Sequence, residues 1–224
     1  MTAAVNDPIV VAPVVVALAT AILTLVVRAS GRLTKAVSLV GGLGYTAAAV
    51  VVFERVVVGG SGPLPYYLSN WPAPYGITFV ADGLSASMLG LSGLVTLPAL
   101  VFAVVSVSPQ GQRLSFHPLY HFMIAGVAGA FLTVDVFNLF VWFEVMLMAS
   151  YVLVVFRSGP DETRAALSYV VLNLLGSAVM LVAIGGLYAT TGTLNMAAMA
   201  DRLANPAVYD VAVAPTLGLA SLLL

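Results

Sequence analysis

Apolar runs of about 20 residues recur along this sequence, and about 20 apolar residues in a helix are what the roughly 30 Å hydrocarbon core of a bilayer requires. The stretches 83–107 and 165–189 hold no Asp, Glu, Lys or Arg, and 135–156 holds only Asp135 and Glu144. A soluble fold would need charges to cover its surface. Here 8% of residues are charged, against roughly 25% in ordinary soluble domains. A mean hydropathy of +1.08 agrees. The chain is therefore expected to be all-α, a polytopic membrane helix bundle.

Composition also narrows the function. A net charge of -1 offers no basic field for nucleic acid. With no cysteine, disulfides, thiolate iron–sulfur sites and covalent haem attachment are excluded, so electron transfer within the chain is not expected. The N-terminal residues before the first apolar run are not basic, so a cleaved signal peptide is not expected.

Six complete spans and the start of a seventh are predicted. The first covers 8–27, with Asp7 as N-cap and Pro8 in the first helical position. Arg28, Arg32 and Lys35 then fill a short connection to a second span over 36–58. An extracytoplasmic loop at 59–82, rich in Gly, Pro and aromatics, is expected to be ordered, with Tyr and Trp at headgroup level. Asp82 caps a third span over 83–107, which Pro98 should kink. The fourth covers 118–134, the fifth 135–156 behind an Asp135 cap, and the sixth 165–189. A short amphipathic helix at 194–204 should lie at the interface. The run 211–224 begins a seventh span and is too short to cross unaided, so the chain reads as truncated.

Helices that alternate in direction divide the connections into two sets. One holds Arg28, Arg32, Lys35, Arg113, Arg157 and Arg164, and the other holds Arg55 and Arg202. Basic residues favour the cytoplasmic side, which puts the N-terminus outside the cell membrane.

Glu144 is the leading candidate for a functional residue. A charged side chain at the centre of a span costs about 2.5–3.5 kcal/mol on insertion scales, so an acid kept there is functional by default. Phe137, Phe140, Val141, Leu147, Met148 and Tyr151 share its helix face, and of these only Tyr151 is polar. The partner of Glu144 is therefore expected on another helix. In the sixth span Tyr169, Asn173 and Ser177 fall at successive i, i+4 steps beside Gly176, a stripe suited either to close packing or to lining a hydrated path. In the third span Ser85, Ser92 and Thr96 form a similar stripe, whose hydroxyls would satisfy carbonyls freed by Pro98.

His117 and His121 have the i, i+4 spacing of metal ligands. No HExxH and no third ligand accompany them, so they are read as interfacial histidines, and no metal or other cofactor is expected. His121, of a residue type whose ordinary titration range lies near neutrality, is a candidate for proton uptake on the cytoplasmic side. The glycines Gly41, Gly42 and Gly44 sit inside an apolar span and indicate close helix contact. Nothing in the order of Ser, His and acidic residues supports a hydrolase or a transferase.

The stretch "GVAGAFLTVDVFNLFVWFEVMLMASYVLVVF" strongly resembles the fourth and fifth spans of the D-type subunit of the Mrp multisubunit monovalent cation/proton antiporters, relatives of the antiporter-like subunits of complex I and of membrane hydrogenases. "NWPAPYGITFVADGLSASML" is similar to that family's loop into the third span, and "YVVLNLLGSAVMLVAIGGLYATTGTLNMAAMADRL" to its sixth span and interfacial helix. Ala149 to Tyr151 after Phe-Glu favours the Mrp subunit over those of complex I. Val134 departs from the glycine the family commonly has before Asp135.

The resemblance implies an ion-transporting subunit with no chemical reaction of its own. Glu144 takes the place of a glutamate that pairs with a lysine of the seventh span, which would fall beyond Leu224. Residues 1–117 would then be three leading spans, and 118–224 an incomplete first inverted repeat. Implied partners are other membrane subunits of the complex, the lipid bilayer, protons and monovalent cations, Na+ or K+. Tyr151, Tyr169, Asn173, Ser177 and His121 are candidates to line the path. A proton-pumping subunit of complex I or of a hydrogenase, and a non-transporting scaffold, remain as alternatives.

Overall fold

The structure, a computed structural model, describes residues 6–107, 111, 115–155 and 160–223. Arg113 and Arg157 lie outside the described residues.

The first helix, α1, spans Ala12–Val26, later than the expected start at Pro8. Proline lacks an N–H and is best accommodated in the first turn of a helix, where Pro13 stands. Asp7 instead turns the chain ahead of it, its carboxylate accepting from the Ile9 N–H at 3.1 Å. The second helix, α2, spans Gly31–Phe53 and widens into a π-helical turn over Glu54–Val58. Arg32 and Lys35 thus belong to its first turns and not to a connection.

The loop at 59–82 is ordered in a way the helical reading did not include. Strand β1, Leu64–Tyr67, pairs antiparallel with β2, Thr78–Ala81. Next comes α3, Gly83–Ser106, closed by a reciprocal cap in which Asp82 accepts from the Ser85 N–H and Ser85 Oγ accepts from the Asp82 N–H, both at 2.8 Å. That donor holds the Asp82 carboxyl below its usual range. Ser85 is therefore occupied in the cap. α3 continues through Pro98 as one helix, and the Thr96 carbonyl accepts from the Tyr120 hydroxyl at 2.6 Å.

Helix α4 spans Phe116–Leu132 and α5 spans Val136–Val154. Between them the chain becomes extended and is held on both sides. Thr133 bridges Phe79 of β2, Asp135 bridges Asn195, and Val134 both donates to Thr78 O at 3.1 Å and accepts from the Met196 N–H at 2.8 Å. An extended position suits a β-branched residue, so Val134 fits here without glycine. Asp135 caps α5 as expected, accepting from the Asn138 N–H at 2.7 Å.

Helix α6, Pro160–Thr191, has 32 residues and begins before the expected Ala165. It leads to α7, Met196–Ala204, whose cap is Asn195. A one-turn helix α8, Pro206–Tyr209, and α9, Val213–Ala220, follow.

Among the described residues, four helices are long and apolar enough to cross a membrane: 31–58, 83–106, 136–154 and 166–191. The expected first and fourth spans are shorter, at 15 and 17 residues. At about 1.5 Å per residue both fall short of the roughly 30 Å core. The later start shortens α1, and strand pairing at 133–135 ends α4.

Helix α1 packs against α2 and α4, α2 against α3, α4 against α5, and α6 against α5 and α9. The main core gathers Val14, Tyr45, Leu89, Leu100, Ile124 and Leu132 from the leading helices, and a second cluster joins Val136 to Ile184, Leu187 and Met199. The expected glycine contact is present. A Cβ on Gly41 would strike Thr20 of α1, which is how α1 and α2 approach so closely. One end of the bundle collects the hairpin, Arg55, Arg202 and the N-terminal residues, with Arg55 paired to Asp7 at 3.1 Å. Arg28, Arg32, Lys35 and Arg164 fall at the other end, as alternating helices require.

Candidate functional site

Helix α5 forms because Asp135 supplies the missing acceptor for its first turn, and the 19 residues after that cap place Glu144 near the middle. Glu144 is half-buried. The Ser177 hydroxyl of α6 donates to Glu144 Oε1. Among the described residues Glu144 forms no ion pair.

Two clefts open on the carboxyl group. One, of about 460 Å3, lies between α4 and α5 and is lined by Leu119, Phe122, Phe140, Val141, Val145 and Met148 together with Glu144. The other, of about 510 Å3, lies between α5 and α6 and adds Asn173, Gly176 and Ser177. A water occupies about 30 Å3 of the liquid, so either cleft is large enough for several. Aromatic and aliphatic walls with one acid and a few neutral donors form a place where a proton can be taken up and passed on, with little else to react.

The α6 stripe is divided in its contacts. Ser177 and Asn173 share the second cleft with Glu144, though the Asn173 amide donates to its own helix at Tyr169 O, 2.7 Å away. Tyr169 lies nearer the other end, where its hydroxyl meets Ser150 Oγ at 3.3 Å. Its ring stands edge-on to Tyr151 with centroids 5.4 Å apart. Tyr151 is buried, and its hydroxyl has no hydrogen-bond partner among the described residues. Sequence reasoning did not single out Ser150, whose only signal was its place one residue from Tyr151.

His121 stands apart from this group. Both histidines, expected at the interface, are buried: His117 is 1% and His121 0% exposed. The reason is Ser38 on α2, whose hydroxyl lies 2.9 Å from His117 Nδ1 and 2.9 Å from His121 Nε2. α4 therefore turns its histidines to α2, while Leu119 and Phe122 face the cleft at Glu144. His121 is not a lining residue of the Glu144 site. Ser38 was also missed, although Thr34, Ser38, Gly42 and Tyr45 form a stripe of small and polar residues that is the buried face of α2.

Among the described residues no three of His, Cys, Asp or Glu gather as metal ligands.

Residues 133–222 match the family described as NADH:quinone oxidoreductase/Mrp antiporter, TM. The D-type subunit of a probable K(+)/H(+) antiporter of Rhizobium meliloti (strain 1021) is 39% identical over 207 residues, covering 88% of this chain and 37% of that protein. The corresponding D-type subunit of a Na(+)/H(+) antiporter of Alkalihalophilus pseudofirmus is 43% identical over 154 residues, 69% of this chain and 31% of that protein. The chain thus spans about a third of the length of these relatives. Among solved structures, the Mrp complex from Dietzia sp. DQ12-45-1b contains a chain that superposes with a TM-score of 0.79 at 29% identity, over 96% of this chain and 39% of that one.

Proposed function

The chain belongs to the NADH:quinone oxidoreductase/Mrp antiporter family, and on that premise we propose that it is the leading part of a proton-translocating subunit of a multisubunit monovalent cation/proton antiporter. The observation that carries this reading is Glu144, an acid at mid-helix between two clefts with one serine donor on its carboxylate. In the cycle proposed, Glu144 alternates between a carboxylate that accepts from Ser177 and a carboxylic acid. A cation approaching from the second cleft favours the first form, and its departure favours the second. That cation is the lysine of a seventh span that the family resemblance implies. Asn173 and Tyr151 line the same path, and Tyr169 closes its end against Ser150. The exchanged ion is Na+ or K+, as in the names of the two relatives.

The subunit sits in the cell membrane with its N-terminus outside, since the end carrying Arg28, Arg32, Lys35 and Arg164 is the more basic. Residues 1–117 are three leading helices and 118–224 part of a first inverted repeat, which would put the site near the membrane midplane. Exposed apolar side chains along α3 and α6, among them Leu94, Phe102, Leu172 and Val182, offer faces for lipid and for neighbouring membrane subunits.

A second reading, a proton-pumping subunit of a respiratory complex, follows from the first half of the family's description. Exchange assays on everted vesicles carrying the assembled complex separate the two. Glu144→Gln should abolish Na+- or K+-driven proton release while leaving the complex assembled. Unchanged exchange in that variant would refute the assignment of Glu144. Proton movement that needs a respiratory substrate and ignores both cations would favour the second reading.

A further inference from the structure

The groups around Ser38 form a second polar cluster, separate from Glu144. A serine hydroxyl has one proton, and here its two partners are His117 Nδ1 and His121 Nε2, each at 2.9 Å. It can donate to only one ring, and in that arrangement it accepts from the other. The outer nitrogens, His117 Nε2 and His121 Nδ1, are buried and have no hydrogen-bond partner among the described residues. A buried polar atom without a partner costs about 1–3 kcal/mol, so a purely structural clamp would not leave two.

We infer that His117, Ser38 and His121 are a three-group proton relay, with the two outer ring nitrogens as its ends. Protons balance at every step. In one state His117 Nδ1–H donates to Ser38 Oγ, Ser38 O–H donates to His121 Nε2, His117 Nε2 holds a lone pair and His121 carries its proton on Nδ1. A proton taken up at His117 Nε2 releases the Nδ1 proton to Ser38, which passes its own to His121 Nε2, and His121 gives up the Nδ1 proton. One proton enters, one leaves, and the triad ends in its mirror state, in which both rings carry their proton on Nε2.

The placement suits uptake from one face. His117 and His121 occupy the first two turns of α4, one helical turn or about 6 Å apart along its axis. Ser38 lies one turn after Lys35 on α2, toward the end of the bundle that carries the basic residues. Tyr120 is a further titratable neighbour, edge-on to His121 with centroids 5.8 Å apart, and its own hydroxyl is occupied by Thr96 O. A proton would thus move from the Lys35 end one turn inward, along the α4 face turned away from Glu144.

Two measurements test this. In vesicles with the assembled complex, Ser38→Ala should lower exchange at least tenfold at unchanged complex level, and unchanged exchange overturns the relay. Where that variant does not assemble, 15N NMR of the histidine-labelled wild-type chain in lipid bilayers decides, since the chain has two histidines. The relay requires both rings to carry their proton on the same type of nitrogen. Opposite tautomers, with both rings donating to Ser38, overturn it. Loss of exchange in Ser38→Ala with full activity in Glu144→Gln would keep the relay and discard the Glu144 reading, and the reverse pattern would do the opposite.

Discussion

At Gly129 on α4 an added methyl group would land within the Trp142 ring of α5, whereas at Gly176 on α6 it would meet nothing within 4 Å. The two glycines mark two kinds of packing. From α1 to α5 the helices touch backbone to side chain, as at Gly41 against Thr20 and Gly126 against Met146. Helix α6 instead reaches α5 through spaced polar contacts, Ser177 on Glu144 and Ser150 with Tyr169, and leaves the 510 Å3 cleft between them. Glu144 stands at the boundary. Its helix is held to α4 by the close contacts at Gly126 and Gly129, and its carboxyl group opens on a cleft on either side, with Ser177 across the one toward α6. The proton-carrying role proposed for Glu144 needs both, because the acid must be held in place while water or a cation comes and goes.

The largest effect expected from this contrast is in the packed half. Gly129→Leu would drive a branched side chain into the Trp142 ring, and overpacking a close contact costs about 3 kcal/mol at its upper range. Thermal unfolding in detergent should show a large drop in Tm, or no folded chain at all. A variant as stable as the wild type would mean that α4 and α5 are free to separate, and the contrast with α6 would fail.

Ser177→Ala addresses the boundary itself. A hydrogen bond to a charged group contributes about 1.5–3 kcal/mol, equivalent to roughly tenfold to hundredfold in an equilibrium. The loss should appear in exchange activity, with Tm nearly unchanged because Ser177 faces a cleft. If the change appears in Tm and not in exchange, Ser177 is a packing residue and α6 belongs to the rigid part.

Much of this was legible in the sequence, and the exceptions have physical causes. Helix existence followed from apolar length, and the caps at Asp82 and Asp135 from a carboxylate set just before an apolar run. The partner of Glu144 was expected on another helix, and Ser177 already stood on a polar stripe. Helix ends were less legible. α1 starts with Pro13 in its first turn, and the end of α4 was decided by pairing of Thr133 with Phe79 and of Asp135 with Asn195, contacts far apart in the chain that no local pattern encodes. The hairpin was hidden for a similar reason. β1 and β2 have 4 residues each, too short for a period of two to register between prolines and glycines. The histidines escaped because their i, i+4 spacing describes α4 alone. Their burial depends on α2, and a serine on an apolar helix carries no mark of the ring it will meet.

The smallest predicted effect is the most direct check on the open side. Gly176 is helical, and a methyl group added there would have no neighbour within 4 Å, so Gly176→Ala should gain the helix propensity difference of about 0.5–1 kcal/mol without a clash. Packing of α6 against α5 through a small-residue groove would give the opposite sign, as it must at Gly129. Exchange activity adds a second reading. Gly176 lines the cleft beside Ser177, and one methyl group removes little of about 510 Å3, so the transport rate should stay close to the wild type. A stabilised chain with normal exchange would show that the cleft is wider than its traffic requires, while a stabilised chain with slowed exchange would place the path along the α6 wall at Gly176 itself.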